Sequence, residues 1–341
     1  MHVVYVTNKL VNGGGERVLV NLIAAVRTRS GTATVLFMGR STAIDPVIQA
    51  EVEAAGARVI RLCEIGAIWA ALRRATTIHL YNLNVYVKAL PFLPLIGKRR
   101  LICHVHGVAD SANPTARKLF CRPSNPCDEI VFVSETGKKS YGIDRGRVIQ
   151  NPVIFPPRRN APPVIPGAAL RMLSVNRLVA VKRISAQIDI MALLVDHFGV
   201  DAYLDIIGEG AELQALQDRA VSKGLGDRVQ FLGGLPHVDV IARFPDYDLF
   251  LTTSAAEGLG LSLVEALAAG LPAAASPIAA YKEVAAIGGG MLFIDPEDPA
   301  AAAAAIHDAL QTRSLQTASL AALSAQFDPA AFQRQIFGIY K

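Results

Sequence analysis

Short apolar stretches alternate with amphipathic stretches along most of this chain. Residues 16–29 and 46–55 have the 3.6-residue periodicity of helices. Apolar strand patterns surround them at residues 2–8, 32–39, 57–62, 78–82, 101–107 and 129–134. Strands that alternate with helices predict a parallel, doubly wound sheet.

A proline-dense segment interrupts this alternation at residues 150–167, QNPVIFPPRRNAPPVIPG, and predicts a linker. Strand patterns then recur at residues 170–177, 202–208, 228–234, 247–254, 271–276 and 291–295. We therefore predict an α/β chain of two Rossmann-like doubly wound domains, residues 1–155 and 156–325, facing across a cleft. Ligands of such sheets bind at the carboxyl ends of the strands. The alanine run at residues 300–305 predicts a surface helix.

The segment SAAEGLGLSLVEALAAGLP carries the most informative residues. It places Glu257 and Glu265 eight positions apart around a glycine-rich turn that opens a helix. Ser262 and Glu265 predict a capping box, and Gly270 with Pro272 predicts the end of the helix. Backbone N–H groups at such a helix start suit a phosphate, and the carboxylates could accept hydrogen bonds from sugar hydroxyls. The capping box alone explains Ser262 and Glu265 but not Glu257, so the combination indicates a nucleotide-sugar site.

A second glycine-rich loop, Gly13-Gly14-Gly15, follows the first strand pattern. Glycines there allow a close approach of the backbone to a ligand, although a plain tight turn remains an alternative. A dinucleotide site would need a third glycine where Val18 stands, and no acidic residue follows the second strand pattern to bind a ribose. Arg40 could accept a 2′-phosphate, so an NADP-dependent oxidoreductase stays open as an alternative.

Two further loops of the second half have candidate ligand-binding residues. Arg177 and Lys182, in SVNRLVAVKR, could neutralise a diphosphate, although a solvated basic loop explains the segment equally well. The segment IIGEGAE, which contains Glu209, predicts a strand–turn–helix junction across which a nucleobase or ribose could lie.

Two histidines, His104 and His106, stand near the end of a strand pattern in LICHVHGVAD. Strand alternation places both on one face of the sheet. A structural histidine is the commoner outcome, but a histidine at a strand end could bond a sugar hydroxyl or a phosphate. We favour His106 for that role because Gly107 leaves space beside it.

Charge is distributed unevenly, within a net charge of +5. Residues 1–165 contain 22 Lys and Arg against 10 Asp and Glu, whereas the remainder contains 12 against 19. The basic half indicates an anionic partner. No nucleic-acid-binding module is recognisable, so we expect no nucleic acid and favour anionic lipid headgroups. Residues 87–102, apolar and then basic, suit a peripheral membrane contact, or equally a core helix with a charged end.

Targeting and metal-binding patterns are both missing from the sequence. No charged n-region precedes the first strand and no apolar run spans a membrane, which predicts a cytoplasmic protein, peripheral on the inner face of the membrane if the basic half binds lipid. The four cysteines have no metal-ligand spacing and predict reduced thiols. We expect no metal and no cofactor.

Five segments in order, NGGGERV, HVHG, VSVNRLVAVKR, IIGEGAEL and EGLGLSLVEALAAGLP, resemble those of the family-4 glycosyltransferases. These are retaining enzymes of the GT-B fold, here of the type that builds bacterial polysaccharides and glycolipids. EGLGLSLVE matches the E-x7-E motif of that family. The tail at residues 326–341 resembles the last helix of the family, which crosses back to the first domain.

The resemblance implies a retaining, metal-independent sugar transfer from a nucleotide-diphosphate-sugar to a glycan or lipid-linked hydroxyl, as in the synthesis of cell-surface polysaccharide or lipopolysaccharide. It implies that Glu257 bonds the donor sugar, Glu265 bonds the ribose, and Arg177 and Lys182 hold the diphosphate. His106 completes the expected catalytic set. The expected donor-binding set is Gly14, Gly15, Glu209, Gly258, Gly260, Leu261, Ser262 and Glu265.

Two positions depart from the family pattern. Asn176 and the pair Ala279-Ala280, before Glu283, stand where relatives often have glycine, which puts donor contacts of the second loop in doubt. Three other classes remain open: a nucleotide-sugar epimerase of the same fold, the NADP-dependent oxidoreductase, and a non-catalytic sugar-nucleotide-binding module.

Overall fold

The structure is a computed structural model that describes residues 1–11, 14–40, 44–92, 94, 97–158 and 168–340. The chain forms two compact units. Unit 1 contains residues 1–152 together with 329–341, and unit 2 contains residues 153–328. Gly13 and the second half of the predicted linker, residues 159–167, lie outside the described residues.

Unit 1 is built on a seven-stranded parallel sheet with the order β3-β2-β1-β4-β5-β6-β7. Its strands are β1 (His2–Thr7), β2 (Thr32–Phe37), β3 (Ala57–Arg61), β4 (Thr77–Leu80), β5 (Arg100–Val105), β6 (Glu129–Phe132) and β7 (Arg147–Val148). Its helices are α1 (Gly14–Arg27), α2 (Pro46–Ala54), α3 (Ile65–Arg74), α4 (Leu83–Ala89), α5 (Pro114–Phe120), α6 (Glu135–Tyr141) and α14 (Pro329–Tyr340), with 3₁₀ turns at Leu90–Phe92 and Ala109–Ser111.

Unit 2 is built on a six-stranded parallel sheet with the order β10-β9-β8-β11-β12-β13. Its strands are β8 (Leu170–Val175), β9 (Ala202–Ile207), β10 (Val229–Gly233), β11 (Leu249–Thr252), β12 (Ala273–Ala275) and β13 (Met291–Phe293). Its helices are α7 (Ile184–Asp196), α8 (Leu213–Ser222), α9 (His237–Arg243), α10 (Leu261–Ala268), α11 (Ala279–Gly288), α12 (Pro299–Gln311) and α13 (Leu320–Gln326), with 3₁₀ turns at Ala180–Lys182 and Phe244–Asp246.

The prediction of two parallel α/β sheets is confirmed. Every predicted strand forms within two residues of its expected ends, and the central strands β1, β4 and β11 are buried along nearly their whole length. The two-residue strand β7 was not predicted, since it is too short to carry a pattern. Each sheet is thus a doubly wound layer with helices on both faces.

The alanine run lies in α12, so the predicted helix forms, with one side exposed at Ala300 and Ala301. Ala302 and Ala303 are buried, and α12 packs against α7 over the main core of unit 2. The other side of the run therefore forms part of the core, which the sequence did not indicate.

Residues 87–102 divide between core and surface. Ala89 of α4 and Leu101 and Ile102 of β5 are buried, whereas Phe92 is exposed. Leu93, Leu95 and Ile96 lie outside the described residues. Of the two alternatives for this segment, a core helix with a charged end therefore explains the buried residues at both of its ends. No helix in the described part of the chain is long and apolar enough to cross a membrane.

The C-terminal helix α14 packs on α1 within unit 1. The hydroxyl of Tyr340 lies 2.9 Å from the hydroxyl of Tyr5 on β1 and 2.8 Å from Nδ1 of His79 on β4. All three side chains are buried, so these bonds satisfy polar groups that would otherwise be costly to bury.

Candidate functional site

Strand order in unit 2 reverses direction at β8, which lies between β9 and β11. The carboxyl ends of β8 and β11 flank this switch point, where open α/β sheets bind ligands. The two following loops are bonded to each other. The N–H of Ala255 donates to the carbonyl of Val181 at 2.8 Å, and Oγ1 of Thr253 donates to the carbonyl of Lys182 at 3.0 Å.

The switch point brings together Lys182 and Glu257, two of the predicted catalytic residues. Nζ of Lys182 donates to Oε1 of Glu257 in an ion pair whose side chains are only 13% and 16% exposed. The same carboxylate oxygen accepts hydrogen bonds from Oγ of Ser254 at 2.9 Å and from the hydroxyl of Tyr281 at 3.2 Å. Glu257 is therefore the centre of a polar network that links the loops after β8, β11 and β12.

Tyr281 supports this network from α11. Its hydroxyl also lies 2.9 Å from Oγ1 of Thr252, and the residue is 1% exposed. Burial, with the neighbouring Glu257 carboxylate, holds the pKa of Tyr281 well above its usual range. The phenol therefore stays protonated and acts as a donor to the carboxylate.

Helix α10 begins at Leu261, and Gly260 is its N-cap with φ of 86° and no side-chain cap. The prediction that Ser262 caps this helix in a capping box with Glu265 is therefore wrong. Gly260 carries the chain through the left-handed conformation, so the helix starts one residue before Ser262, which falls in the first turn. The predicted end is confirmed, because the helix stops at Ala268 before Gly270.

With no side-chain cap, the first turn of α10 leaves backbone donors available. The N–H groups of Leu261 and Ser262 have no acceptor within the described residues, and both residues are half-buried. Donors of this kind at the positive end of a helix attract an anion.

The side chain of Glu265 contacts helix α9. Its Oε1 lies 2.7 Å from Nε2 of His237, the first residue of α9, and its side chain is 10% exposed. Glu265 is thus held by a histidine 28 positions away in the sequence.

Arg177 and Glu209 stand on neighbouring loops at the same edge of the sheet. The N–H of Leu178 donates to the carbonyl of Glu209 at 2.8 Å, and Arg177 is exposed. Gly208 has φ of 139°, and a Cβ there would lie 1.8 Å from the carbonyl oxygen of Asn176. Oε1 of Glu209 accepts from the N–H of Gly234 at 3.3 Å, which links a third loop to this edge.

In unit 1, the predicted glycines lie at the start of α1. Gly14 is exposed, and no atom lies within 4 Å of a Cβ placed on Gly15. The hydroxyl of Tyr81 donates to the carbonyl of Gly15, which fixes this turn from the end of β4. The loop lies at the switch point of the first sheet, where β1 and β4 are neighbours.

The predicted His106 belongs to a stack of three imidazoles. Its ring centroid lies 4.2 Å from that of His104, and His104 lies 5.5 Å from His79, both pairs nearly parallel. The prediction that His104 and His106 share a face is confirmed. Burial lowers the pKa of His79 and of His106 to about 3, and burial also lowers the pKa of His104. All three rings are therefore neutral near pH 7.

His106 also lines a pocket of about 140 Å³ within unit 1. The lining residues with polar side chains are Asn82, Asn84, His106, Ser111, Asn113 and Tyr141. The ring nitrogens of His106 have no hydrogen-bond partner among the described residues. Both nitrogens are buried, so they offer no accessible surface to a ligand in this structure.

Metal ligands do not gather anywhere in the described ranges: no group of three or more His, Cys, Asp or Glu side chains there could hold an ion. The four cysteines are free thiols.

Sequence reasoning missed Ser254, Tyr281 and His237. Tyr281 stands only two residues before Glu283, the position that the family pattern emphasised, and a buried tyrosine near a carboxylate is not visible in sequence. His237 begins a short helix after Pro236, and no spacing rule links it to Glu265.

Comparisons with known proteins give relatives of this chain in sequence and in fold. Residues 160–322 match the family described as "Glycosyl transferases group 1". A UDP-N-acetylglucosamine–peptide N-acetylglucosaminyltransferase GtfA subunit from Streptococcus gordonii is 33% identical over 32% of this chain and 21% of its own length. A GDP-mannose-dependent alpha-(1-6)-phosphatidylinositol monomannoside mannosyltransferase from Mycolicibacterium smegmatis is 27% identical over 64% of this chain and 63% of its own length. The chain thus spans less than two thirds of either relative.

Among solved structures, Anabaena Alr3699/HepE in complex with UDP-glucose superposes with a TM-score of 0.81. The match covers 99% of this chain and 98% of that chain at 19% sequence identity. The chain therefore has the two-domain GT-B fold, and unit 2 contains the segment that matches the group 1 glycosyl transferases.

Proposed function

We propose that this protein is a family-4 retaining glycosyltransferase. It moves a sugar from a nucleotide-diphosphate-sugar to a hydroxyl of a glycan or lipid-linked acceptor in the synthesis of cell-surface polysaccharide or glycolipid. The observation that carries the proposal is the Lys182–Glu257 pair at the switch point of unit 2. The names of the relatives, which include UDP- and GDP-sugar-dependent transferases, support it.

Lys182 and Glu257 contact each other when no donor is bound, and a bound donor replaces this contact. Each charge is neutralised by the other while the site is empty, which lowers the cost of holding both largely buried. A diphosphate competes for Lys182, and sugar hydroxyls then donate to Glu257 in its place. Arg177, which is exposed on the adjacent loop, approaches the diphosphate from the solvent side.

The remaining donor contacts come from α10 and the loop after β9. N–H groups of Leu261 and Ser262 bind phosphate oxygens, with Gly258 and Gly260 shaping the turn. Glu265 accepts from the ribose hydroxyls, and Glu209 lies beside the base. Gly14 and Gly15, at the start of α1, remain a prediction from the resemblance.

The acceptor binds to unit 1. The pocket beside His106 is lined by the amides of three asparagines and by the hydroxyl residues Ser111 and Tyr141, which match sugar hydroxyls. The mannosyltransferase relative is named for a phosphatidylinositol mannoside, and unit 1 lies in the basic half of the chain. A lipid-linked acceptor and a peripheral position on the inner face of the cell membrane are therefore part of this proposal.

Transfer proceeds on the face that the nucleotide leaves, which retains the anomeric configuration. The bond between the anomeric carbon and the phosphate oxygen breaks, and the acceptor oxygen bonds to that carbon while its proton passes to the departing phosphate. Lys182, Arg177 and the N–H groups of α10 offset the charge that grows on the diphosphate. Metal independence belongs to the proposal and is tested by unchanged turnover in EDTA.

Donor binding is tested by thermal unfolding with UDP-glucose, UDP-N-acetylglucosamine, GDP-mannose and a dTDP-sugar. One of them should raise the melting temperature, because a ligand that binds only the folded state stabilises it. Lys182→Met should abolish the shift in melting temperature. Lys223→Met is the control: it removes an ion pair with Asp189 (Nζ to Oδ1, 3.2 Å) outside the site and should leave the shift unchanged. A Lys182→Met protein that still binds every donor as the parent does would overturn the assignment.

Transfer is tested with the stabilising donor and two acceptors, an oligosaccharide and phosphatidylinositol vesicles. We expect nucleoside diphosphate to be released only when an acceptor is present, with the new linkage in the configuration of the donor. An isomerised sugar formed without acceptor would instead identify an epimerase.

A further inference from the structure

Helix α3 of unit 1 and the turn before it present an apolar surface that none of the described residues covers. Leu62, Ile65 and Trp69 are 49%, 66% and 47% exposed, and we call these three residues the α3 patch. Ile65 and Trp69 are four positions apart on α3 and so lie on one side of it, and Leu62 is in the turn that precedes the helix.

The opposite side of α3 holds the helix in place. Ala71 is buried, and Ala67, Ile68 and Leu72 pack against the core cluster that includes Ile60 and Ile78. Packing on the core therefore does not require the α3 patch. An exposed row of large apolar side chains next to a fixed helix marks an interaction surface.

The charges around the α3 patch are almost all positive. Arg61, Arg73 and Arg74 are exposed at the two ends of the helix. The acidic residue of this stretch, Glu64, is already engaged, because its carboxylate accepts from Arg58 Nη2 at 2.8 Å and from the N–H of Arg61 at 2.9 Å. The patch is thus an apolar row bordered by cations.

We propose that the α3 patch docks unit 1 on an anionic lipid surface, with Leu62, Ile65 and Trp69 entering the headgroup boundary and the arginines contacting lipid phosphates. Tryptophan favours this boundary because its ring is apolar and its N–H is polar. A second copy of the chain fits less well, since pairing two such patches would bring their arginines together. The inference deepens the proposed membrane partner and assigns it to α3, outside residues 87–102.

The chain supplies its own probe, because Trp69 is its single tryptophan. The full-length protein, without donor or acceptor, is titrated with vesicles of phosphatidylcholine alone or mixed with phosphatidylglycerol. The phosphatidylglycerol vesicles should sediment the protein and shift the Trp69 emission to shorter wavelength, and brominated lipid should quench it. Phosphatidylcholine alone should do neither, and high salt should release the protein.

A matched pair of variants locates the contact. Ile65→Ser should weaken vesicle binding by about tenfold, because the buried apolar area of the side chain is lost. Val47→Ser on α2 changes a side chain of similar exposure, 49%, outside the core cluster on which α3 packs, and should bind as the parent does. Arg73→Gln with Arg74→Gln should reduce the salt dependence.

Three results would overturn the proposal. The first is an unchanged Trp69 emission with anionic vesicles, and the second is equal vesicle binding by Ile65→Ser and Val47→Ser. The third is self-association in lipid-free buffer that Ile65→Ser abolishes, which would make a second copy the occupant. Sugar transfer to a soluble acceptor is measured in a separate assay. If the protein binds vesicles but transfers no sugar, the proposed function is wrong and the proposal for the α3 patch stands.

Discussion

Nε2 of His237 lies 2.7 Å from Oε1 of Glu265, which joins the start of α9 to the first turns of α10. Both side chains are largely buried, at 18% and 10% exposure. The contact fixes the rotamer of a carboxylate that the helix does not use as a cap. A carboxylate held in this way is preorganised to accept hydrogen bonds from a ligand.

His237→Ala should therefore weaken donor binding more than it slows transfer. The carboxylate of Glu265 would lose its fixed orientation, and we expect the KM for the donor to rise about tenfold with kcat changed less than threefold. Steady-state kinetics with varied donor measures both. The exposed His197→Ala is the control, and equal kinetics for the two variants would contradict a positioning role.

Glu257→Gln should lower both stability and activity. It removes one charge of a largely buried ion pair and leaves Lys182 without its partner, which costs about 1–3 kcal/mol of unfolding free energy. Turnover should fall by at least about a hundredfold if the carboxylate bonds the donor sugar. Glu297→Gln breaks an exposed pair with Arg183, so it should cost about 0–1 kcal/mol and leave turnover intact. Urea unfolding and nucleoside diphosphate release distinguish the two variants.

Tyr281→Phe tests whether the network around Glu257 matters beyond the ion pair. The change removes a buried hydroxyl bonded to Glu257 and lying 2.9 Å from Oγ1 of Thr252, and should cost about 1 kcal/mol and reduce kcat several-fold. Tyr247→Phe removes a hydroxyl that donates to Asp205 at 2.6 Å, so it should cost similar stability without loss of kcat. Equal kcat values for Tyr281→Phe and the parent would show that the hydroxyl serves stability alone.

Gly260→Ala should disturb the start of α10. The residue has φ of 86°, and a Cβ there would lie 2.6 Å from Cε1 of Tyr281. Backbone strain costs about 1 kcal/mol, and the clash adds to it and displaces Tyr281. Gly224→Ala shares the positive φ but meets no atom within 4 Å, so it isolates the strain. A melting temperature that falls equally for both variants would contradict the clash.

Acid should destabilise unit 1 through the imidazole stack. Burial lowers the pKa of His79 and His106 to about 3, whereas unfolded histidine titrates near 6.5. Below pH about 6.5 the unfolded state binds more protons, so stability falls with decreasing pH down to about pH 3. The slope is about 1.4 kcal/mol per pH unit for each histidine. Urea unfolding at pH 7.5, 6 and 5, followed by Trp69 fluorescence, measures it within unit 1.

His104→Phe keeps the stacking and removes one titrating ring, so it should lessen that pH dependence. The exposed His197→Gln in unit 2 is the control. A pH dependence that His104→Phe leaves unchanged would place the acid sensitivity elsewhere.

The sheets could be predicted from sequence because the central strands carry continuous apolar runs that only a parallel, buried strand explains. The elements of the candidate site could also be placed, since each follows a strand. The side-chain contacts within the candidate site could not be predicted. Lys182 and Glu257 are 75 positions apart, and only the neighbouring positions of β8 and β11 bring them together.

Two details could not be predicted from the local sequence, because the surrounding structure overrides local rules. Ser262 had the right residue type for a cap, but the left-handed Gly260 set the start of the helix one residue earlier. The alanine run had no polar face to indicate a partner, yet α12 packs on the core. Local propensity indicated a helix in each segment, and tertiary contacts determined where the helix begins and what it packs against.

The hydrogen bonds of Tyr340 imply that unit 1 is not specified by one contiguous stretch of sequence. A fragment that stops at Pro152 would lack α14 and would leave Tyr5 and His79 buried without the hydroxyl that they share. Adding residues 329–341 as a separate peptide should restore such a fragment. Unit 2, in contrast, is a single uninterrupted segment and is the natural choice for isolated donor-binding measurements.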